Sequence, residues 1–232
     1  TVSRRPLVAL IPTGDELVMP GETPGPDQIV TSNNFGLAAM LRAMGARPLL
    51  CPIARDTRES LSTTLEAARK ADLIVTLGGA SVGDHDLVAE VLGEEGLELA
   101  FYKVAMRPGK PLMAGRLGAA AMLGLPGNPV SAMVCGEIFL RPAVERLTGL
   151  PAAGPALRPA VLAHDLDANG PRQHYMRARL AFRPGALPVA TVEERQDSSL
   201  LTVLQRADAL VVRAPHAPAL PAGGAVHVLP LD

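Results

Sequence analysis

The chain has 232 residues, enough for one large domain or two smaller ones with a hydrophobic core. Its net charge of −1 creates no overall field for nucleic acid, and an aromatic content of 3% without tryptophan disfavours base-stacking surfaces. No apolar run approaches the ~20 residues of a membrane span. Cys51 and Cys135 lack metal-site spacing, so we expect buried thiols in a cytoplasmic protein that binds neither nucleic acid nor membrane.

Strand and helix patterns alternate over residues 1–149. In chain order, short apolar runs and helical spacings predict a strand at 7–11, a helix at 33–44, a strand at 48–53, a helix at 57–71, a strand at 73–77, a helix at 84–92, extended segments at 100–106, 112–114 and 120–125, and a helix at 129–147. This order predicts an α/β domain with a doubly wound, mostly parallel sheet and helices on both faces.

The pattern changes after a linker at residues 150–155. Short alternating runs, separated by turns rich in proline and glycine, predict strands at 157–163, 174–182, 187–192, 209–213 and 225–229. Residues 150–232 are therefore expected to form a small all-β, barrel-like domain.

Three glycine-bearing turns follow predicted strands of the first domain, after Ile11, Leu77 and Leu125. In open α/β sheets, ligands bind outside the carboxyl ends of the strands. We therefore expect the three turns to converge on one ligand crevice.

The first of these turns contains Asp15 and Glu16 beside Gly14. Carboxylates at this position can hold Mg²⁺ or accept a hydrogen bond from a sugar hydroxyl. The alternative is that Asp15 caps the loop and Glu16 is simply solvated.

The second turn, residues 78–86, carries three glycines whose backbone N–H groups can face an anion. Ser81 and Asp84 are each candidates for the cap of the following helix. Asp86 lies one turn further on, too late for a cap. Its carboxylate would repel a phosphate unless a cation intervened, which favours a metal-bridging or water-activating role.

The third region combines the sequence RPGKP at 107–111 with GLPGNPVS at 124–131. Only three lysines occur in the chain, and two of them, Lys103 and Lys110, flank Arg107. Prolines stiffen both loops, and Ser131 falls in the first turn of the last helix of this domain. The region predicts a rigid cationic socket for a phosphate or a tetrahedral oxyanion. The alternatives are solvated charges and a small packing serine.

Together these blocks resemble the molybdopterin molybdenumtransferase family, including the C-terminal part of gephyrin-like proteins. The resemblance spans nearly the whole chain and rests on TGDEL at 13–17, GGASVGDHD at 78–86, RPGKP at 107–111 and GLPGNPVSA at 124–132. It implies insertion of molybdenum from molybdate into adenylylated molybdopterin, with Mg²⁺ and with release of AMP. It also implies that residues 1–149 bind the pterin nucleotide.

The resemblance further implies roles for individual residues. Catalytic roles fall on Asp86, Glu16 and Lys103, and Asp86 is also the implied Mg²⁺ ligand. The implied molybdate pocket comprises Arg107, Lys110, Pro111, Ser131, Arg177 and Ser198, with Ser199 as the alternative to the last. The implied pterin-nucleotide contacts are Thr13, Gly14, Asp15, Asn33, Gly78, Gly79, Ser81, Gly83, Asp84, Pro126, Gly127, Asn128 and Pro129.

Three positions depart from the usual family pattern. Arg107 replaces the first lysine of KPGKP, Thr31 replaces an aspartate, and Asp197 replaces the glycine of a Gln-Gly-Ser block. Family members also carry about as much chain again before this region, which mediates homodimerisation and completes the active site. The chain is therefore expected to be a fragment or short form whose full-length protein is a homodimer and contacts other enzymes of molybdenum-cofactor synthesis. Two other functions stay open: molybdopterin adenylyltransferase activity, and a non-catalytic pterin-binding or scaffold role.

Overall fold

The structure is a computed structural model that describes residues 2–79, 87–152 and 154–231. These residues fall into two compact units. The first contains the described residues up to 104 together with 111–152, and the second contains 105–110 together with the described residues from 154 onward. The segment 105–110 belongs with the second unit because its short strand pairs there.

The first unit is built on a six-stranded sheet. Its strands are β1 (Leu7–Pro12), β4 (Arg47–Leu50), β5 (Leu73–Leu77), β6 (Leu97–Tyr102), β8 (Met113–Leu117) and β9 (Ala120–Leu125), while β2 (Leu17–Val18) and β3 (Ile29–Val30) form a separate parallel pair. The order across the sheet is β4-β1-β5-β9-β8-β6. Neighbours from β4 to β9 are parallel, and β8 runs antiparallel to both β9 and β6. The prediction of a mostly parallel sheet is confirmed.

Helices cover both faces of this sheet. They are α1 (Asn33–Ala43), α2 (Arg58–Ala68), α3 (Leu87–Glu94), α4 (Pro129–Cys135) and α5 (Arg141–Leu147), with a π-helical turn, Gly136–Leu140, joining the last two. Leu61 and Leu65 of α2 pack with the α3 residue Val88 against Ala9 and Ile11 of β1. The alternate β1 residues are equally buried, and α1 contacts β1, β4 and α4.

Several boundaries differ from the sequence prediction: α2 ends at Ala68 and not at 71, β8 extends to Leu117, and the strand predicted at 187–192 begins at Val189. Two further differences have identifiable reasons. The apolar run at 48–53 leaves the sheet after Leu50, because the pairing with β1 ends there. The extended segment predicted at 100–106 is interrupted at Lys103, whose φ of +66° lies in the left-handed region. By contrast, the strand at 73–77 is confirmed at both ends, and Thr57 caps α2 by accepting a hydrogen bond from the Ser60 amide.

The second unit contains a closed five-stranded barrel. Its strands are β10 (Arg158–Leu162), β11 (Gln173–Ala181), β12 (Val189–Val192), β13 (Ala209–Arg213) and β14 (Ala225–Pro230). They pair in the order β12-β10-β14-β13-β11, and β11 closes the ring on β12. The strand β7 (Met106–Arg107) extends β11 in parallel, and a short helix, α6 (Leu201–Gln205), precedes β13. The predicted barrel-like domain is confirmed, whereas the sequence did not predict α6.

Small side chains fill the barrel. Its interior is lined by Ala160, Leu162, Ala178, Ala190, Ala209, Val211, Val226 and Val228. Closure of the barrel leaves no unpaired sheet edge among these five strands. Within the described residues, no helix combines the length and the apolar character that a membrane span requires.

Candidate functional site

A cleft of about 400 Å³ lies at the carboxyl ends of three adjacent parallel strands of the first unit. The loops that follow β1, β5 and β9 meet there, as the strand order predicts. The β2–β3 pair and the start of α1 form the other walls. The cleft is lined by Pro12, Thr13, Glu16, Leu17, Ile29, Val30, Thr31, Ser32, Asn33, Leu77, Gly78, Gly79, Pro111, Pro126, Gly127, Asn128 and Pro129.

Glycine is required where the loops after β5 and β9 approach each other. Gly78 has a φ of +98°, and a β-carbon there would lie 2.8 Å from the carbonyl oxygen of Thr13. A β-carbon on Gly127 would lie 3.4 Å from the α-carbon of Gly78. The floor of the cleft is therefore bare backbone, which lets a ligand approach the main chain closely.

Hydrogen bonds extend the sheet ladder into this floor. The Thr13 amide donates to the Leu77 carbonyl at 3.0 Å, and the Gly78 amide donates to the Leu125 carbonyl at 3.0 Å. The Thr13 side chain is buried, and its hydroxyl also donates to the Leu77 carbonyl, at 3.4 Å. The strand ends are thus held in fixed positions, so the loops are preorganised rather than independent.

The two carboxylates of the first turn have different environments. Glu16 lines the cleft, and its carboxylate lies where a β-carbon on Gly14 would stand. Asp15 instead accepts a hydrogen bond from the Asp56 amide at 3.2 Å and does not line the cleft. Glu16 can therefore reach a ligand or a cation, whereas Asp15 joins two loops.

The segment before α1 is organised by side-chain hydrogen bonds. Thr31 is buried, and its hydroxyl donates to the Asn34 side-chain oxygen at 3.1 Å. An ionised aspartate at this position would only accept hydrogen bonds and could not replace this donor. The side-chain amide of Asn33 donates to the Gly127 carbonyl at 2.6 Å and so joins the start of α1 to the loop after β9.

Replacing Asn33 by alanine is expected to lower the free energy of unfolding by about 1 kcal/mol, the usual value for one hydrogen bond, and to weaken ligand binding in the cleft. Urea unfolding followed by circular dichroism measures the first effect. The matched control is Ser32→Ala, because Ser32 is exposed and its side chain makes no capping hydrogen bond. Equal destabilisation by the two substitutions would show that the hydrogen bond from Asn33 to the Gly127 carbonyl does not stabilise the fold.

The remaining sequence-predicted residues of the first unit have diverse positions. Pro126, Asn128 and Pro129 lead into α4 at the cleft wall, and Pro111 also lines the cleft. Ser131 is buried in the first turn of α4 and is not among the lining residues. Lys103 lies outside the cleft lining as well, with its ammonium group 4.7 Å from the centre of the Tyr102 ring. Ser81, Gly83, Asp84 and Asp86 lie outside the described residues, so their roles stay predictions.

In the second unit, Arg177 is fully buried on β11. One guanidinium nitrogen donates to the Asp197 carbonyl at 3.0 Å, which brings Arg177 next to the loop that contains Ser198. Its Nε and Nη1 groups have no hydrogen-bond partner within the described residues. Burial lowers the pKa of Arg177, and the nearby Arg107 lowers it further. Arg107 and Lys110 are exposed.

A second group of residues in this unit was not identified from the sequence. His174, Arg213 and Asn169 line a cavity of about 300 Å³ together with Arg107. The only sequence feature that could have indicated this group is that β11 and β13, whose side chains are otherwise largely apolar on one face, each have a polar residue, His174 and Arg213, near one end. Burial, reinforced by Arg107, Arg177 and Arg172, lowers the pKa of His174 to about 4.

The lowered pKa of His174 predicts loss of stability in mild acid. The unfolded chain takes up a proton near the ordinary value of 6.5, whereas the folded chain takes it up near 4. The stabilisation is therefore complete above pH 6.5 and is lost as the pH falls from 6.5 to 4, by about 3 kcal/mol. Between pH 4 and 6.5, the unfolding free energy of the wild type should rise more steeply with pH than that of His174→Gln. Parallel curves would show that His174 is protonated at its ordinary pKa.

Among the residues that the structure describes, no group of three or more histidine, cysteine, aspartate or glutamate side chains is arranged to hold a metal ion. Cys51 and Cys135 are buried and unpaired thiols, as the sequence predicted. Burial raises the pKa of Cys135 to about 12, so this thiol is unreactive.

An open parallel sheet with a backbone-floored cleft at its carboxyl edge defines an α/β protein of the nucleotide- or cofactor-binding class. Residues 9–146 match the family described as the probable molybdopterin binding domain, and residues 159–231 match the MoeA C-terminal region, domain IV. The chain belongs to the molybdopterin-binding-domain family, and the expected family resemblance is confirmed.

Sequence and structure comparisons agree on the relatives. The chain is 37% identical over 216 residues to a molybdopterin molybdenumtransferase of Nostoc, covering 91% of this chain and 50% of the relative. It is 38% identical over 191 residues to molybdopterin molybdenumtransferase 2 of Mycobacterium tuberculosis, covering 79% of this chain and 47% of the relative. The crystal structure of a molybdopterin biosynthesis MoeA protein from Pyrococcus horikoshii superimposes with a TM-score of 0.82 at 29% identity, covering 98% of this chain and 55% of that chain. The chain thus spans about half the length of these curated relatives.

Proposed function

We propose that this chain binds the pterin nucleotide and molybdate and acts as a molybdopterin molybdenumtransferase. Its substrates are adenylylated molybdopterin and molybdate, and its products are molybdenum cofactor and AMP. The observation that carries the proposal is the cleft of about 400 Å³ at the ends of β1, β5 and β9, in a chain whose two parts match two regions of one protein family. Its backbone floor suits a phosphate-bearing ligand.

The two expected domains take separate roles in this proposal. Residues 1–149 bind the pterin nucleotide through Thr13, Asn33 and the glycine loops. Residues 150–232 contribute Arg177 and Ser198 to molybdate binding, together with Arg107 and Lys110 from the segment that belongs with the second unit. Pro111 and Ser131 complete the proposed molybdate set. Molybdate is a tetrahedral dianion, and the buried Arg177, whose Nε and Nη1 have no partner within the described residues, suits it chemically.

The proposed reaction is hydrolysis-like. An oxygen of water or molybdate attacks the adenylyl phosphorus, the bond to the pterin phosphate oxygen breaks, and AMP leaves with the new oxygen. Asp86 orients the attacking group, while Lys103 and Arg107 offset the charge that develops. Mg²⁺ needs only one or two protein carboxylates besides substrate phosphates, so Glu16 at the cleft fits such an ion with Asp86. When bound, Mg²⁺ would neutralise phosphate charge.

The rim of the cleft supports the expected homodimer. Ile29 and Val30 line the cleft yet are 61% and 41% exposed, and Phe35 at the start of α1 is 39% exposed. Apolar side chains beside a ligand site suit coverage by another polypeptide segment. We propose that the protein is a cytoplasmic homodimer in which the partner subunit covers this rim, and that it contacts other enzymes of molybdenum-cofactor synthesis.

The test is to incubate the chain with adenylylated molybdopterin, molybdate and Mg²⁺, and to quantify AMP and molybdenum cofactor. We expect Asp86→Asn to bind the pterin as wild type does but to release AMP at least about 100-fold more slowly, the usual loss for a missing acid–base group. The control is Asp27→Asn, since Asp27 is exposed and outside the cleft lining.

The same assay separates the two alternatives. Adenylylation of molybdopterin with ATP would identify an adenylyltransferase instead. Binding of the pterin without molybdate binding would identify a scaffold or pterin-binding module. Unchanged AMP release by Asp86→Asn would refute the proposed catalytic role.

A further inference from the structure

One end of the barrel interior is polar, in contrast to the alanine- and valine-lined centre. Met176 and Ala178 of β11 face the barrel interior, as do Ala209 and Val211 of β13. Side chains alternate along a strand, so His174 and Arg213, each two residues further along, face the same interior at its end. Arg177 occupies an intervening position of β11 and faces the opposite side of the strand.

Strand register aligns these groups in a row. His174 pairs with Arg213 across β11 and β13, and it pairs with Arg107 across β11 and β7. Paired residues project from the same face of a sheet. We call Arg107, His174 and Arg213 the cationic row, since two arginines flank one histidine.

The cationic row lines a cavity of about 300 Å³ that the loop 165–170 closes. The loop is fixed in place, because the side-chain amide of Asn169 donates to the carbonyls of Arg172, Arg213 and Ala214 at 2.7–3.1 Å. The Gly170 carbonyl also accepts a hydrogen bond from the His216 amide at 2.9 Å. The cavity is therefore a preformed feature of the barrel end.

Two groups of the row have unused hydrogen-bonding capacity. Arg213 is 3% exposed, and one guanidinium nitrogen, Nη2, donates to the backbone carbonyls of Asp167, Ala217 and Pro218. The other nitrogen, Nη1, has no partner within the described residues, and neither has Nε2 of His174, which is 8% exposed. Leaving a buried donor without a partner is unfavourable, so each of these groups is expected to bind a ligand or an ordered water.

The charge at the inner end of the cavity is positive. Neither Arg107 nor Arg213 forms an ion pair among the described residues. Asp165 and Asp167 also line the cavity, but both are exposed, and Asp165 accepts a hydrogen bond from the Ala222 amide at 2.7 Å. The pKa of His174 is lowered by burial and by three arginines, with no opposing carboxylate. The two carboxylates thus lie at the exposed rim together with Arg107, whereas Arg213 and His174 lie inside.

We propose that this barrel end binds the phosphate group of a small molecule, or free phosphate, through Nη1 of Arg213, the guanidinium of Arg107 and an Nε2–H donor of neutral His174. This site goes beyond the proposed transferase reaction. It lies on the interior face of β11, shares Arg107 with the proposed molybdate residues, and uses neither Arg177 nor Ser198. The rim carboxylates favour a phosphate monoester with hydroxyl groups, because they can accept hydrogen bonds from these groups.

The experiment titrates the full chain with inorganic phosphate and, separately, with glycerol 3-phosphate, at constant ionic strength with chloride as the reference anion. Isothermal calorimetry gives the affinity, and nitrogen NMR of the histidine rings reports contact with His174. We expect phosphate to shift the Nε2 signal of His174. His174→Leu should weaken binding about tenfold, the loss of one hydrogen bond to a charged group, and Arg213→Met should weaken it more. Tighter binding of the ester than of phosphate would identify the monoester as the ligand class, and equal or weaker binding would identify free phosphate.

The matched control is Arg179→Met, because Arg179 is an exposed cation of β11 that pairs with Glu193 outside the cationic row. Its phosphate affinity should equal that of wild type. If Arg213→Met fails to fold, the His174 ring signal of wild type still decides the question. Absence of saturable binding, or an unchanged His174 signal, overturns the proposal. Loss of phosphate binding in Arg177→Met but not in His174→Leu would assign the anion to the proposed molybdate residues and would also overturn it.

Discussion

Gly78→Ala is expected to lower the free energy of unfolding by about 3 kcal/mol and to abolish binding of adenylylated molybdopterin. Two effects add at this position. The φ of +98° is strained for any residue with a β-carbon, at a cost of about 1–3 kcal/mol. The new β-carbon would also lie 2.8 Å from the Thr13 carbonyl oxygen, so the loops after β1 and β5 must separate. Urea unfolding and calorimetric titration with the pterin nucleotide measure the two results.

Gly45→Ala separates these two effects. Gly45 has a φ of +83° and no atom within 4 Å of the position of a β-carbon, so alanine there is strained but does not collide. We expect a loss of only about 1 kcal/mol and unchanged ligand binding. Suppose that Gly78→Ala lowers the free energy of unfolding no more than Gly45→Ala does and leaves binding of the pterin nucleotide intact. The close approach of the backbone at Gly78 would then not be what forms the cleft floor.

Arg177→Met is expected to abolish molybdate binding without lowering stability. Arg177 is fully buried, and two nitrogens of its guanidinium, Nε and Nη1, have no partner within the described residues. Burying a charge without an ionic partner costs free energy, so an apolar side chain of similar length should be tolerated at this position. A guanidinium that contacts an oxyanion contributes enough that its loss should weaken molybdate binding at least about 100-fold. Equilibrium dialysis with molybdate and urea unfolding give the two values.

Arg179→Met is the matched control for this substitution as well. The Arg179 side chain is 61% exposed and pairs with Glu193, so its loss should change stability by less than about 0.5 kcal/mol and leave molybdate binding unchanged. A large destabilisation by Arg177→Met would show that the buried guanidinium is a structural element. Retained molybdate binding would exclude Arg177 from the proposed pocket.

Some elements could be predicted because their signals are local. The strand at 73–77 is a continuous apolar run between Asp72 and Gly78, and its bounds in the structure are the predicted ones. Other boundaries depend on partners elsewhere in the chain. Residues 51–53 are as strand-like as 48–50, but the pairing with β1 stops at Leu50. The left-handed conformation of Lys103 has no clear sequence signal, since lysine seldom adopts it.

The candidate site was likewise predictable only where its features are encoded by neighbouring residues. Glycine-bearing turns after three predicted strands pointed to the cleft, because ligand sites in parallel sheets lie at the carboxyl ends of strands. The family resemblance implied different roles for Glu16 and Asp15, but it did not predict that Glu16 lines the cleft while Asp15 accepts a hydrogen bond from the Asp56 amide. That difference depends on a tertiary contact, because Asp15 and Asp56 are 41 residues apart in the chain.

The amino-acid sequence alone determined the order of the elements, the two-part organisation, the family and the glycine turns, because each of these is encoded in contiguous residues. The tertiary structure decided that β1, β5 and β9 are neighbours, that Arg177 is buried, and that Arg107, His174 and Arg213 are paired across β7, β11 and β13. These features depend on strand order and cross-strand register, which pair residues far apart in the chain and are set by the packing of the whole sheet.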